Sequence, residues 1–233
     1  MKKIIFIFII SSITVQAQFI QGIGVFGSIT TSRHEYKNTN NPDSLPMRVL
    51  YPESHRSAEH ISWGMGLVVE MFRFRHFRLQ SEIEYIHKGA KEPHELINIY
   101  TNERRQAVNQ YKYIGFNNFA KFRFPAFNFT AFILVGPRIE YNLSKSTPAY
   151  SSVSSNFQKL WISPDIGFGF EPYAFGRFKF FTELHYNPDV RRQYTKNNIV
   201  ASNRTWELRL GIMWRKKDSV DMDCNAPRYY GGD

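Results

Sequence analysis

The chain has 233 residues, enough for one ordinary domain with its own core. Aromatic residues make up 16% of it while the mean hydropathy is −0.40, so apolar side chains are plentiful but no run is uniform enough to make the mature chain a helical membrane protein. The formal charge of +10 is of the sign that nucleic acid attracts, yet the first residues direct the chain away from any nucleic acid.

Lys2 and Lys3 form a basic start, Ile4 to Ile13 a short, mostly apolar run, and Val15-Gln16-Ala17 a small-residue cleavage site before Gln18. That order is a signal peptide, which predicts export and the loss of residues 1–17. The only cysteine, Cys224, rules out an intrachain disulfide and lies far from the cleavage site, where a lipid anchor would need a thiol. For an exported basic chain the expected partners are outer-membrane lipid, anionic lipid headgroups or surface polysaccharide, and other envelope proteins.

The elements that follow share one period. Gln21 to Thr31 opens the series, and the cleanest example comes next: Ile61, Trp63, Met65, Leu67, Val69 and Met71 alternate with Ser62, Gly64, Gly66, Val68 and Glu70. Period two is the signature of a strand with two unlike faces. Phe77 to Lys88, Lys112 to Phe124, Thr130 to Leu143, Lys159 to Pro172 and Phe178 to Asn187 repeat it less regularly. The last strand alternates Trp206, Leu208, Leu210, Ile212 and Trp214 with Thr205, Glu207, Arg209, Gly211 and Met213. Tight connections at 73–76, 125–128 and 173–177 alternate with long polar ones at 32–60, 89–111, 144–158 and 188–203. Strands of about 9 to 11 residues joined by strictly alternating short and long connections predict an all-β chain, an eight-stranded antiparallel up-and-down transmembrane β-barrel over residues 18–216. Long loops are then extracellular, both termini periplasmic, and residues 217–233 a loosely attached periplasmic tail.

A soluble lipocalin-like barrel would turn the same apolar face inward. Two features favour the outward reading. Aromatics gather at both strand ends: Phe72, Phe74, Phe77, Phe124, Phe127, Phe170, Tyr173, Phe175, Phe178 and Trp214 at the tight-turn end, and Trp63, Tyr85, Tyr113, Tyr141, Tyr186 and Trp206 at the other. Such girdles mark lipid interfaces. The polar face is also rich in glycine, which makes room inside a narrow barrel.

The opening Gly22-Ile23-Gly24-Val25, the strand from Phe116 to Phe124, and Phe132 to Tyr141 with its Gly136-Pro137 resemble the small outer-membrane barrels of the Bacteroidota, the PorT-like or OmpX-like group. The resemblance spans nearly the whole mature chain. It implies a fold and an outer-membrane location and carries no single activity and no agreed functional residues. One departure concerns the assembly signal, where Arg209, Gly211 and Trp214 fit but Lys216 stands where an aromatic is usual.

Inward charges are the main candidates for chemistry. Glu70, Arg78, Lys121, Glu171 and Lys179 are predicted near the periplasmic end, and Glu82, Arg138, Asp165, Glu183 and Arg209 near mid-height. Buried ions cost several kcal/mol each unless paired, so these should form two ionic layers that pack the lumen, with a gate or proton relay as the functional alternative. Glu82, Glu183 and His185 form a candidate acid/base group, and His55-Arg56-Ser57 a candidate hydrolase pair. No histidine or cysteine spacing suits a metal, no cofactor is implied, and Asp218, Asp221 and Asp223 read as a solvated acidic tail. In the long loops, Arg33, His34, Tyr36, Arg48, Arg104 and Arg105 are candidates for binding phosphate or acidic sugar. The expected function is a non-enzymatic scaffold, surface binder or subunit of an envelope complex. A narrow passive channel, a carrier of a small apolar ligand and an envelope lipid-modifying enzyme are the alternatives.

Overall fold

A computed structural model describes residues 20–38, 54–72, 74, 76–97, 104–126, 129–146, 158–172, 177–188, 194–196 and 199–216. The expectations for residues 1–17, Arg48 and the tail with Cys224 lie outside the described residues. The strands are β1 Ile20–Asn38, β2 Ser54–Arg56, β3 Ala58–Met71, β4 Phe77–Ile97, β5 Arg104–Pro125, β6 Phe129–Ser146, β7 Leu160–Pro172, β8 Phe178–Pro188, β9 Tyr194–Lys196 and β10 Ile199–Arg215. Sequential antiparallel pairing runs β1-β3-β4-β5-β6-β7-β8-β10, and β1 pairs with β10 from Gly22↔Arg215 to Asn38↔Ile199. That last ladder closes the sheet into an eight-stranded barrel, and β2 and β9 are short additions at the long-loop end.

Several strands outrun their predicted lengths, always toward the long-loop end. The β4–β5 hairpin continues to Ile97↔Arg104, so most of what the sequence suggested as a loop at 89–111 is ladder. The reason lies in the signal used: past Lys88 the sequence Gly89-Ala90-Lys91-Glu92-Pro93 sets no apolar face against a polar one, although Ala90 and Asn109 there are buried.

The faces are those that alternation predicted. Ile61, Met65, Leu67, Ile83, Phe116, Val135, Ile166, Phe168, Phe180, Leu208 and Leu210 all point outward and are exposed, forming a continuous apolar belt. Rings border it: Phe74, Phe124, Phe170, Phe178 and Trp214 at the tight-turn end, Trp63, Tyr141 and Trp206 at the other. Tyr113 departs from the predicted girdle, because it shares parity with Gly115 and Asn117 and is buried inside. Phe72 takes the left-handed backbone conformation at φ 62°, strained for a bulky side chain, where the chain leaves β3 for the first tight turn. Its ring stacks with Phe74 at 6.4 Å.

Two prolines face each other across the wall, Pro137 on β6 and Pro164 on β7. Proline cannot donate to a ladder, so it is tolerated only where no donor is needed. Both prolines meet that condition. The β5–β6 ladder steps from Asn117↔Arg138 to Ala120↔Val135, skipping Pro137, and the β7–β8 ladder begins only at Ile166↔Tyr186, beyond Pro164. The Asn187 amide partly replaces the missing rungs, donating to the Pro164 carbonyl at 2.8 Å and the Ser163 hydroxyl at 2.7 Å.

Glycines on this wall differ sharply in what they permit. A β-carbon at Gly136 would run into the carbonyl oxygen of Asn118, whereas one at Gly27 meets nothing within 4 Å. Gly136→Ala should therefore destabilise the barrel by about 1–3 kcal/mol, as overpacked substitutions do. Gly27→Ala should leave it nearly unchanged, and urea unfolding of the two variants from lipid vesicles checks the contrast.

Candidate functional site: the lumen

An eight-stranded barrel has an interior just wide enough for its own side chains to fill. Read inward from the tight-turn end, several strands share one order, which β4 breaks with Arg78, Gln80 and Glu82. On β5 it is Lys121, Phe119, Asn117; on β10 it is Arg215, Met213, Gly211, Arg209; on β3 it is Glu70, Val68, Gly66. Charge, then apolar group or glycine, then charge or amide: the lumen is stratified.

The first stratum is built on Glu70 and Glu171. Arg78 Nη1 lies 2.8 Å from Glu70, and Lys121 Nζ bridges Glu70 at 2.8 Å and Glu171 at 2.9 Å. Arg215 also spans both, at 2.7 Å to Glu70 and 2.8 Å to Glu171, while Arg123 stands 3.8 Å from Glu171. The four predicted residues Glu70, Arg78, Lys121 and Glu171 thus do meet, and Lys179 lies half-buried at the same end, across from Met213. Arg123 and Arg215 complete the layer, and their parity with Lys121 and Arg209 was the available signal. Cations outnumber carboxylates here.

Above it sits an apolar septum of Phe26, Val68, Phe119, Phe132, Leu134, Phe181 and Met213, all buried. Glycines on neighbouring strands seat its rings: Phe26 lies over Gly66, Phe132 over Gly169 and Phe181 over Gly211. Cations bracket the septum from both sides, Lys121 Nζ 3.8 Å from the Phe132 ring centre and the Arg209 guanidinium 4.7 Å from that of Phe26. This partition had no counterpart among the predicted layers.

The mid-height stratum holds the predicted Glu82, Arg138, Asp165, Glu183 and Arg209, and it also recruits Glu84, Glu140, Glu207, Lys88 and His185. Arg209 reaches Glu82 at 2.6 Å, Glu84 at 2.7 Å and Glu207 at 2.8 Å. Arg138 reaches Glu84, Glu140 at 2.7 Å, Glu207 at 2.9 Å and Asp165 at 3.1 Å. Lys88 Nζ caps Glu140 at 2.6 Å. Carboxylates outnumber cations in this layer, the reverse of the first. Four of the five additional members stand two residues from a predicted one, Glu84 beside Glu82, Glu140 beside Arg138, Glu207 beside Arg209, and His185 beside Glu183, and Lys88 lies six residues along the same face from Glu82, so strand parity could have found them.

His185 lies between two of the acids, its Nδ1 2.9 Å from Asp165 and its Nε2 3.1 Å from Glu183. Only a ring carrying both protons donates to both. Glu82 joins this group through Gln80, whose amide donates to Glu82 at 2.7 Å and Glu183 at 3.2 Å. The predicted acid/base trio is therefore assembled, but it lies buried between the septum and a second aromatic plug. That plug is His34, Tyr111, Tyr113 and Trp161, with the His34 and Tyr111 rings 5.4 Å apart and Lys88 Nζ 5.7 Å from the Tyr113 ring centre.

Candidates assigned to loops are distributed differently. Arg33, His34 and Tyr36 lie on β1, where Arg33 stands 3.8 Å from Glu59 and His34 is buried. Arg104 and Arg105 open β5, and their side chains, like those of Tyr36, His55 and Arg56, lie outside the described residues. Ser57 is buried, and its hydroxyl accepts from the His34 amide at 2.7 Å and donates to the His34 carbonyl at 3.3 Å. The hydroxyl thus bridges two strands as a staple.

No family model and no curated protein matches the chain. Among solved structures it is similar to the outer membrane protein OprG from Pseudomonas aeruginosa, with a TM-score of 0.51 and 7% identity over 86% of this chain and 98% of that one. The fold is that of a small outer-membrane barrel. Neisserial surface protein A matches at a TM-score of 0.43 and 12% identity, over 82% of this chain and 97% of that one.

Arg209 is the hub of the mid-height layer, so its loss strands several acids at once. Arg209→Met should cost about 3–5 kcal/mol, the range for breaking a buried ionic group. Replacing the exposed Lys159 by Met should cost under about 0.5 kcal/mol, as surface changes do. Equilibrium unfolding of both variants in the same lipid measures the difference.

Proposed function

We propose that the chain spans an outer membrane as a closed, non-conducting, non-enzymatic barrel that acts as a scaffold, surface binder or subunit of an envelope complex. The observation that carries this reading is the stacking in the lumen: ionic layer, apolar septum, ionic layer, aromatic plug, each made of buried side chains. A channel needs a continuous polar path. The septum interrupts it with packed rings, and the paired charges on either side are engaged with one another rather than with passing ions.

Location follows from the outer face. A belt of exposed Ile, Leu, Val, Met and Phe is costly in water and natural in hydrocarbon, and aromatic girdles at its edges suit the two interfaces. The barrel's two ends meet at the tight-turn end, where Gly22 pairs with Arg215, which fits periplasmic termini and external long loops. An envelope enzyme finds no support in the lumen, since the His185 group is walled off on both sides.

Two measurements test this. After separation of cell envelopes the full chain should partition with the outer membrane, and in planar bilayers it should show no current steps above background. Discrete ion-conducting steps abolished by a bulkier residue at Val68 would overturn the closed-barrel reading.

A further inference from the structure

Above the apolar belt, at the long-loop end, one sector of the outer wall changes character. The outward series on β4 runs Ile83, Tyr85, His87, and on the neighbouring β5 it runs Phe116, Ile114, Lys112. His87 and Lys112 are direct cross-strand partners. The His87 ring is held in place: it stacks on Trp63 at 4.7 Å and 29°, and its Nε2 lies 2.9 Å from the Tyr85 hydroxyl. Trp63 itself remains 47% exposed, and Lys112 is exposed.

The sector also differs electrically from the β1 side of this rim. On the β1 side the outward cations stand opposite carboxylates, Arg33 by Glu59 at 3.8 Å and Arg204 by Glu35 at 3.2 Å. Among the described residues no carboxylate comes within ion-pair distance of Lys112. A fixed imidazole and an ammonium with no ion pair among the described residues therefore stand together, directly above exposed apolar side chains.

We propose that His87 and Lys112, braced by Trp63 and Tyr85, form a site for the phosphate of an anionic lipid in the leaflet at the long-loop end. The proposal rests on the reading that the belt faces hydrocarbon. Height selects the occupant: the His87 imidazole and the Lys112 ammonium rise just past Ile114 and Phe116, so a ligand that touches both donors and the apolar side chains beneath carries phosphate next to acyl chains. A lysine at this level extends its ammonium to the headgroups while its methylenes cover apolar surface. An N–H of the ring and the ammonium then donate charge-assisted hydrogen bonds to phosphate oxygens. A free phosphate would leave the apolar half of the site uncovered.

The test uses the purified full chain in detergent, offered equal amounts of phosphatidic acid and phosphatidylcholine with the same acyl chains, with retained lipid read by native mass spectrometry. Phosphatidic acid should be preferred, and Lys112→Gln should reduce that preference roughly fivefold, the weight of one basic residue at a charged membrane surface. His87→Gln should reduce it in the same direction. Lys159→Gln removes one exposed positive charge at the same end, beside β6 and β7, and should leave the preference unchanged. Equal retention of the two lipids by the unaltered chain overturns the site, as does an equal loss in Lys159→Gln and Lys112→Gln. Displacement of the lipid by equimolar inorganic phosphate overturns the lipid as occupant. Insertion into phosphatidylcholine vesicles without any phosphatidic acid preference sinks the phosphate site alone; failure to insert at all sinks the membrane reading beneath it.

Discussion

Everything inside this barrel depends on the narrowness of an eight-stranded wall. Such a lumen cannot be left empty and cannot admit bulk water, so every inward side chain needs a packing partner and every inward charge a counter-charge. The chain answers with layers. Arg138 and Arg209, planar and many-donored, each engage several carboxylates at once, which lysine's single ammonium would do less well. Glycines such as Gly66 and Gly169 give the septum rings somewhere to lie, and that is why small and large residues alternate around the interior.

The same constraint shapes the polar chemistry of the lumen. Polar groups crowd the lumen, including an imidazole between two acids, and the charged ones are largely engaged with one another, while the side-chain oxygens of Gln80 and Asn117 are buried without a hydrogen-bond partner. The outside carries an apolar belt, a basic sector at His87 and Lys112 on the rim, and the ends of long hairpins.

Much of this was legible in the sequence where neighbouring residues meet different surroundings. Ile61 to Met71 declared both its conformation and its faces, because lipid side and lumen side demand opposite chemistry. The β4–β5 hairpin beyond Lys88 did not, since Gly89-Ala90-Lys91-Glu92-Pro93 sets no apolar residues against polar ones, even though Ala90 and Asn109 are buried there. Parity carried more than was read from it: Tyr113 shares a face with Gly115 and Asn117, and Glu84, Glu140, Glu207 and Arg215 share faces with charges already placed inside. The septum was illegible for a deeper reason. Phe26, Phe132 and Phe181 are adjacent only through the register of several ladders, which no single strand encodes.

Ladder closure has a consequence for how the molecule comes into being. The guanidinium of Arg209, on the final strand, meets Glu82 and Glu84 on a strand more than a hundred residues earlier, with separations of 127 and 125. Until β10 docks against β1, Glu82 lacks its guanidinium partner and Glu84 has only Arg138, so a partly inserted sheet would carry under-compensated acids. Half-built intermediates are thus penalised electrostatically, and the barrel should assemble in one cooperative step whose timing is set by arrival of its C-terminal strand. A chain truncated before Arg209 would leave Glu82 without its guanidinium, so closure and charge balance arrive together with the last strand.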